Sequence, residues 1–253
     1  MKIFVTGGTG YIGSHTVVEL QKNGYDVIIA DNLVNSSMDV LDGIEKISGI
    51  RPEFEEIDLT DGEVTRDFFA RHSDIRAVIH FAALKAVGES VSKPLEYYFN
   101  NLNSLMNVLT CMREFKVPNL VFSSSCTVYG QADVLPVTEK TPRHEAESPY
   151  GNTKVMSEDI IRDLMRVEPD MKALALRYFN PIGAHPTAFI GELPNGVPNN
   201  LIPYLTQTAI GIREQLSVFG DDYNTPDGSP LRDYIDVVDL AQAHVVAIRR
   251  LLE

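Results

Sequence analysis

Cysteine is nearly absent: only Cys111 and Cys126 occur in 253 residues. Two thiols in a chain this long leave no room for a disulfide framework and fit a reducing setting, so the cytoplasm is the expected location. Basic residues are scarce beside acidic ones, 22 against 35, for a formal net charge of −13. With no basic run to offset that field, nucleic acid and anionic membrane surfaces are excluded as partners, and any phosphate must be held by local groups. Long apolar runs are missing, so no membrane span is predicted, and Met1 to Val5 reads as a strand rather than the start of a signal peptide. Internal repeats and low-complexity segments are absent, and no metal site is expected. What remains, 44% hydrophobic and 23% charged, is an ordered globular chain with enough residues for one large domain or one and a half.

The stretch around which the chain is organised comes first. Met1 to Val5 runs into Thr6-Gly7-Gly8-Thr9-Gly10-Tyr11-Ile12-Gly13 and then a helix-like segment to Lys22. Glycine suits a tight strand-to-helix turn, close approach of a pyrophosphate to the main chain, and hard packing of helix on strand. The free amides and positive end of the helix then face an anion. A lone glycine pattern is weak evidence. Its context strengthens it, because Asp31 ends a second strand, Asp26 to Ala30, about 20 residues further on. An acid there accepts both ribose hydroxyls of an adenosine and repels a 2′-phosphate, which favours NAD over NADP.

Strand and helix then alternate. Helical spacing covers 38–48, 62–72, 94–115 and 149–166, and strands are predicted at 53–57, 77–81, 120–122 and 172–177. Such alternation forces parallel pairing through right-handed crossovers. The expected fold class is α/β, a doubly wound parallel sheet of Rossmann type binding NAD over 1–179, with a partial, smaller substrate domain over 180–253. From Asn180 to Pro203 proline and glycine crowd the sequence and predict a long functional loop. A helix is expected over 201–212, and a final amphipathic one follows Arg232-Asp233-Tyr234-Ile235-Asp236-Val237-Val238.

The strongest chemical constellation is Tyr150-Gly151-Asn152-Thr153-Lys154, opened by Ser148-Pro149 as cap and first turn. Positions 150 and 154 share a helix face, and an ammonium there is expected to lower the tyrosine pKa towards that of a general base. Taken alone, the pair is more often an ordinary aromatic and a surface lysine. Ser123-Ser124-Ser125-Cys126-Thr127-Val128-Tyr129-Gly130 follows a predicted strand and points hydroxyls into the crevice expected beyond the carboxyl ends of the strands, where one can hold a substrate oxygen. The plainer alternative is a turn satisfying its own backbone. Cys126 lacks a histidine base and reads as a small buried thiol rather than a nucleophile.

Together with His80 to Ser90, Lys93 to Tyr98, Arg177 to Pro181, Gly183 to Pro186 and Pro198 to Leu201, these motifs resemble the extended short-chain dehydrogenase/reductase superfamily, and within it the UDP-hexose 4-epimerases. The resemblance runs the length of the chain. It implies reversible 4-epimerisation, UDP-galactose to UDP-glucose, through a transient 4-keto sugar with tightly bound NAD. Tyr150 would be the base, Ser125 the group bonding the sugar 4-oxygen, and Lys154 a ligand of the nicotinamide ribose. The cofactor contacts implied are Gly7, Gly10, Tyr11, Ile12, Gly13, Asp31, Asn32, Asp58, Phe81, Ala82, Lys85, Asn100, Tyr150, Lys154 and Tyr178. For the UDP-sugar they are Ser125, Tyr150, Asn180, Asn199, Asn200, Leu201, Phe219 and Arg232. A diphosphate in an acidic protein calls for a bidentate cation, which singles out Arg232 independently. A homodimer through the helices near 94–115 and 150–166 is a further expectation.

Three residues depart from the family pattern. Ala83 stands for a usual glycine and Cys126 for a frequent alanine, both small changes, while Asp236 replaces a frequent histidine and has no account in the sequence. The family also continues beyond the Arg232 segment, so a fragment or a short form with a half-built sugar site is expected. Two other readings stay open. A catalytically silent NAD-binding domain fits the missing portion. A nucleotide-sugar dehydratase fits less well, because Ser125-Cys126-Thr127 offers no carboxylate to expel water.

Overall fold

Strand β1, Lys2–Thr6, is apolar at Ile3, Phe4 and Val5, which are buried on alternate faces. The computed structural model describes residues 1–253. After β1 come α1 (Tyr11–Lys22), β2 (Asp26–Asp31), α2 (Asp39–Ser48), β3 (Glu53–Glu56), α3 (Gly62–Arg71), β4 (Ile75–His80), α4 (Val87–Ser92), α5 (Pro94–Glu114), β5 (Asn119–Ser123), α6 (Pro149–Val167) and β6 (Lys172–Leu176). These six strands pair in parallel in the order β3-β2-β1-β4-β5-β6. The order reverses between β1 and β4, and that switch point opens a crevice beyond the strand carboxyl ends. The doubly wound α/β class expected from the sequence is therefore the one formed.

Two apolar layers hold the helices to the sheet. Phe4, Ile28, Val78, Leu120 and Phe122 face one way and pack with Phe68, Phe69, Leu105 and Leu109 of α3 and α5. Ile3, Val5, Ile29, Ile79 and Val121 face the other way, towards Val17, Val18 and Leu20 of α1 and Leu41 and Ile44 of α2. Burial on both faces is why the strands read as continuous apolar runs instead of alternating ones. Each such side chain contributes roughly 1.5–3 kcal/mol by leaving water.

The last third departs from expectation. Asn180–Ile182 is strand β7, not loop, and it pairs in parallel with β8, Tyr234–Asp236, in a second two-stranded sheet. Between them α7, Leu201–Ala209, stops short of residue 212, since Gly211 turns the backbone to φ +80. The final helix α8, Val237–Leu252, buries Val245, Ala247, Ile248 and Leu251 in the layer shared with α1 and α2. The apolar stripe of α8 thus covers the first sheet. Asp236 also gains an account. Its Oδ1 accepts the Val238 amide at 2.8 Å and caps α8, a role local in sequence.

Candidate active site

The crevice is lined where parallel strands end. β1 delivers Gly7, β2 Asp31, β4 Phe81 and Ala82, β5 Ser123 to Ser125, and β6 Tyr178. At the glycine turn Gly7 has φ +67, and a Cβ there would lie 2.8 Å from the Ala82 nitrogen. A Cβ on Gly13 would lie 2.3 Å from the Gly7 oxygen, so α1 sits against the turn only because residue 13 has no side chain. The N-terminus of α1 has no side-chain cap and no acid in its first turn, and Ser14 is the first amide to donate back, to Gly10 at 2.9 Å. The amides of Tyr11 and Ile12 therefore remain as donors for an anion.

Asp31 stands beside that turn. Its Oδ2 accepts the Thr9 amide at 3.3 Å, and its Oδ1 accepts Leu33 N at 3.0 Å and Ser36 Oγ at 3.2 Å. Leu33 takes a left-handed φ of 58 immediately afterwards, a costly angle for leucine that this bond helps to hold. An uncapped helix start, a side-chain-free turn and a fixed carboxylate within one surface fit the two ends of a dinucleotide's adenosine diphosphate.

Beyond the glycine turn, the hydroxyl cluster is assembled by α6. Ser148 caps this helix, its Oγ accepting Gly151 N at 3.1 Å, with Pro149 in the first turn. Burial pushes the Tyr150 phenol up to about 12, against the smaller influence of the neighbouring Ser125 hydroxyl, which favours the ionised form. Lys154 lies buried, its ammonium donating to the Ser123 carbonyl at 2.7 Å and sitting 5.8 Å from the Tyr150 ring centre. Burial lowers the Lys154 pKa to about 8. The Lys154 ammonium is directed at a carbonyl and not at the phenol, and desolvation dominates the Tyr150 ionisation. Tyr178 completes the group, its hydroxyl bonded to Ser123 Oγ and its own ionisation raised by burial.

Other expected residues fall into two sets. Phe81 and Ala82 donate their amides to Thr6 Oγ1 at 3.1 and 3.2 Å, and Asn32 and Asp58 accept from Val34 N and Thr60 N in their own turns. Asn100 donates to Asn101 at 3.0 Å, and Tyr11 reaches across to the Gly183 carbonyl at 2.7 Å. Lys85 and Asn200 converge on Glu192 Oε1, at 3.5 and 2.9 Å. Asn180 donates to Asp233 O at 3.0 Å, at the small sheet. By contrast, Asn199 and Leu201 are exposed, Phe219 is 92% exposed, and Arg232 donates only to the neighbouring Leu231 carbonyl. None of these four bonds the Ser125 and Tyr150 pair. Arg232 pairs with no carboxylate, which leaves its guanidinium open to an anion.

Some site residues escape sequence reasoning. Asn101 is buried and bonds Leu84 N, Leu84 O and Thr153 Oγ1, fixing the loop after β4 against α6. Thr6 meets His80 Nδ1 at 3.0 Å, and burial first, then the Lys154 charge, lowers His80 to about 3. Glu158, on the Tyr150 and Lys154 face of α6, carries a buried carboxylate. Its signal was present as a charge at helical spacing on a face that had to be buried.

Comparison with known proteins places this geometry. A family model, the NAD dependent epimerase/dehydratase family, matches residues 3–252. The UDP-glucose 4-epimerase of Bacillus subtilis (strain 168) is 53% identical over 252 residues, covering 100% of this chain and 74% of its own length. The bifunctional protein GAL10 of Pachysolen tannophilus is 54% identical over 253 residues, 98% of this chain and 36% of that protein. Among solved structures, the UDP-glucose 4-epimerase of Bifidobacterium longum in complex with NAD+ and UDP superposes with a TM-score of 0.96 at 47% identity, over 98% of this chain and 74% of that one.

Proposed function

The chain belongs to the NAD dependent epimerase/dehydratase family, and we propose that it performs reversible 4-epimerisation of UDP-hexoses, UDP-galactose to UDP-glucose, with tightly bound NAD. The observation that carries this reading is the meeting of Ser125, Tyr150 and Lys154 at the carboxyl edge of the sheet, on the same crevice as the glycine turn and Asp31. The chemistry that NAD supplies when bound is reversible hydride acceptance at its nicotinamide ring. Gly7, Gly10, Tyr11, Ile12 and Gly13 would hold its diphosphate, Asp31 and Asn32 its adenosine ribose, and Asp58, Phe81, Ala82, Lys85, Asn100 and Tyr178 the rest of its length.

Tyr150 as phenolate takes the proton of the sugar 4-hydroxyl while a 4-keto sugar forms, and returns it when the hydroxyl is restored with the opposite configuration. Ser125 orients the 4-oxygen against Tyr150. The ammonium of Lys154, kept in register by Ser123, adds positive charge and reaches the nicotinamide ribose. Asn180, Asn199, Asn200, Leu201, Phe219 and Arg232 serve the nucleotide and sugar. The division of labour is residues 1–179 with α8 for NAD, and 180–236 for the sugar nucleotide.

No helix is long and apolar enough to cross a membrane; the low cysteine count supports a cytoplasmic location, and a UDP-galactose substrate supports a role in galactose metabolism. Exposed Leu95, Phe99 and Met106 on α5 and Met156 on α6 support a homodimer through these helices. The test is incubation with UDP-galactose and detection of UDP-glucose, with Tyr150→Phe expected to lose about 10²–10⁴-fold in rate. Absence of conversion by the whole gene product, NAD being bound, would refute the reading.

A further inference from the structure

We infer that Glu158 and Arg177 form a positioning pair that fixes the Ser125 hydroxyl against Tyr150. The proposal rests on the epimerase reading for its consequence in turnover, though not for its geometry. Glu158 is 6% exposed and lies one helical turn from Lys154 and two from Tyr150 on α6. Its Oε1 accepts Ser124 Oγ at 2.6 Å and Arg177 Nε at 2.8 Å, and its Oε2 accepts Arg177 Nη2 at 2.6 Å. Arg143 Nη1 stands 3.7 Å from Oε2. Burial raises the Glu158 pKa, but the bonds from Arg177 and Ser124 and the Arg177 charge outweigh it and hold the carboxyl below its usual range.

The pair ties together three segments that carry the chemistry. Ser124 directly precedes Ser125, which caps the 3₁₀ turn Cys126–Tyr129 through Thr127 N at 3.2 Å. Arg177 lies over the Tyr129 ring at 5.0 Å, at the other end of that turn. Next in the chain is Tyr178, whose carbonyl accepts Cys126 N at 3.1 Å. One carboxylate on α6 thus grips both the segment before Ser125 and the strand end that cradles it. Net stability is a poor explanation, because desolvation of a buried ion pair largely offsets its attraction. A bidentate fork instead sets distance and direction, and a misplacement of about 1 Å at a reacting group costs about 10²-fold.

The test uses the full chain loaded with NAD and three variants, Glu158→Gln, Arg177→Lys and Ser124→Ala. Ser124→Ala leaves the ion pair whole and should fold even if the others do not. Two quantities are read: kcat and KM for UDP-galactose, and the ionisation of Tyr150 followed by carbon-13 tyrosine resonances without any sugar. Positioning predicts a fall in kcat of about 10–100-fold for the ion-pair variants and about 3–10-fold for Ser124→Ala, with KM within about twofold. It also predicts that Tyr150 ionises at higher pH in all folded variants, as the Ser125 hydroxyl moves away from the phenol. An unchanged Tyr150 titration with unchanged kcat, or a kcat that falls only with the folded fraction, would overturn it. If wild type converts no UDP-galactose the functional reading fails, while the Tyr150 titration still decides the role of the pair.

Discussion

The Lys154 ammonium bonds the Ser123 carbonyl at 2.7 Å and stops 5.8 Å from the centre of the Tyr150 ring. It charges the neighbourhood of the phenol without bonding it. Burial meanwhile drives the two groups in opposite directions, Tyr150 up to about 12 and Lys154 down to about 8. A base that works near neutrality therefore needs a further positive charge, which oxidised NAD, cationic at its nicotinamide ring, would supply.

That requirement gives the first prediction. In the chain stripped of NAD, the Tyr150 carbon-13 resonance should show no ionisation below about pH 11. Loading with NAD should bring its midpoint down by about two units or more, since an opposite charge within about 6 Å favours the phenolate by that much. An identical titration with and without NAD would contradict the assignment of Tyr150 as base.

Replacing Lys154 by methionine should abolish turnover and raise stability. A lysine that ionises near 8 when folded and 10.5 when unfolded opposes folding fully below pH 8, by on the order of 3 kcal/mol. The lost bond to Ser123 offsets about 1 kcal/mol of this gain. Thermal melts at pH 7 should show Lys154→Met about 5 °C above wild type. The advantage should shrink as pH rises from 8 to 10.5, where the unfolded chain also sheds the proton.

His244 makes the acid side testable. It is buried against Phe81, ring centres 4.7 Å apart, with Nε2 unpartnered, and burial lowers its pKa from 6.5 to about 4. A depressed histidine stabilises the fold above pH 6.5 and loses that contribution as pH falls towards 4. His244→Phe keeps the aromatic contact and removes the proton site. Its urea midpoint should depend less on pH, with about 2 kcal/mol of the wild-type loss between pH 7.5 and 5 abolished. A parallel fall in both proteins would show that His244 is protonated in the folded state.

Asp31→Ala should weaken NAD binding by about 10–100-fold, measured calorimetrically, because ribose hydroxyls lose their acceptor and the Thr9 and Leu33 amides lose theirs. NADP binding should fall less, or rise, as the repulsion of a 2′-phosphate is removed. Equal losses for both would mean that Asp31 serves only to brace the turn.

Local patterns account for how much was legible. The glycine turn, the Ser148-Pro149 start of α6 and the alternation of strand and helix are encoded over a few neighbouring residues, and each formed where its chemistry required. β7 and β8 were missed because two three-residue strands carry no period, and Asn180 meets Tyr234 only when the chain returns. Glu158 was missed for a related reason. A carboxylate at helical spacing looks solvated until Arg177, just past the end of β6, is seen to meet it.

By itself, then, the sequence determined the doubly wound α/β class, the glycine turn with Asp31 beside it and the Ser148-Pro149 start of α6, since spacing and residue type fix each of these locally. Only the tertiary structure decided that α8 joins the first sheet, that Asp236 is a helix cap, that Arg232 is left without a carboxylate, and that Lys154 points at a carbonyl. Those outcomes depend on which distant groups share a buried volume, and there desolvation competes with charge at distances the linear chain does not contain.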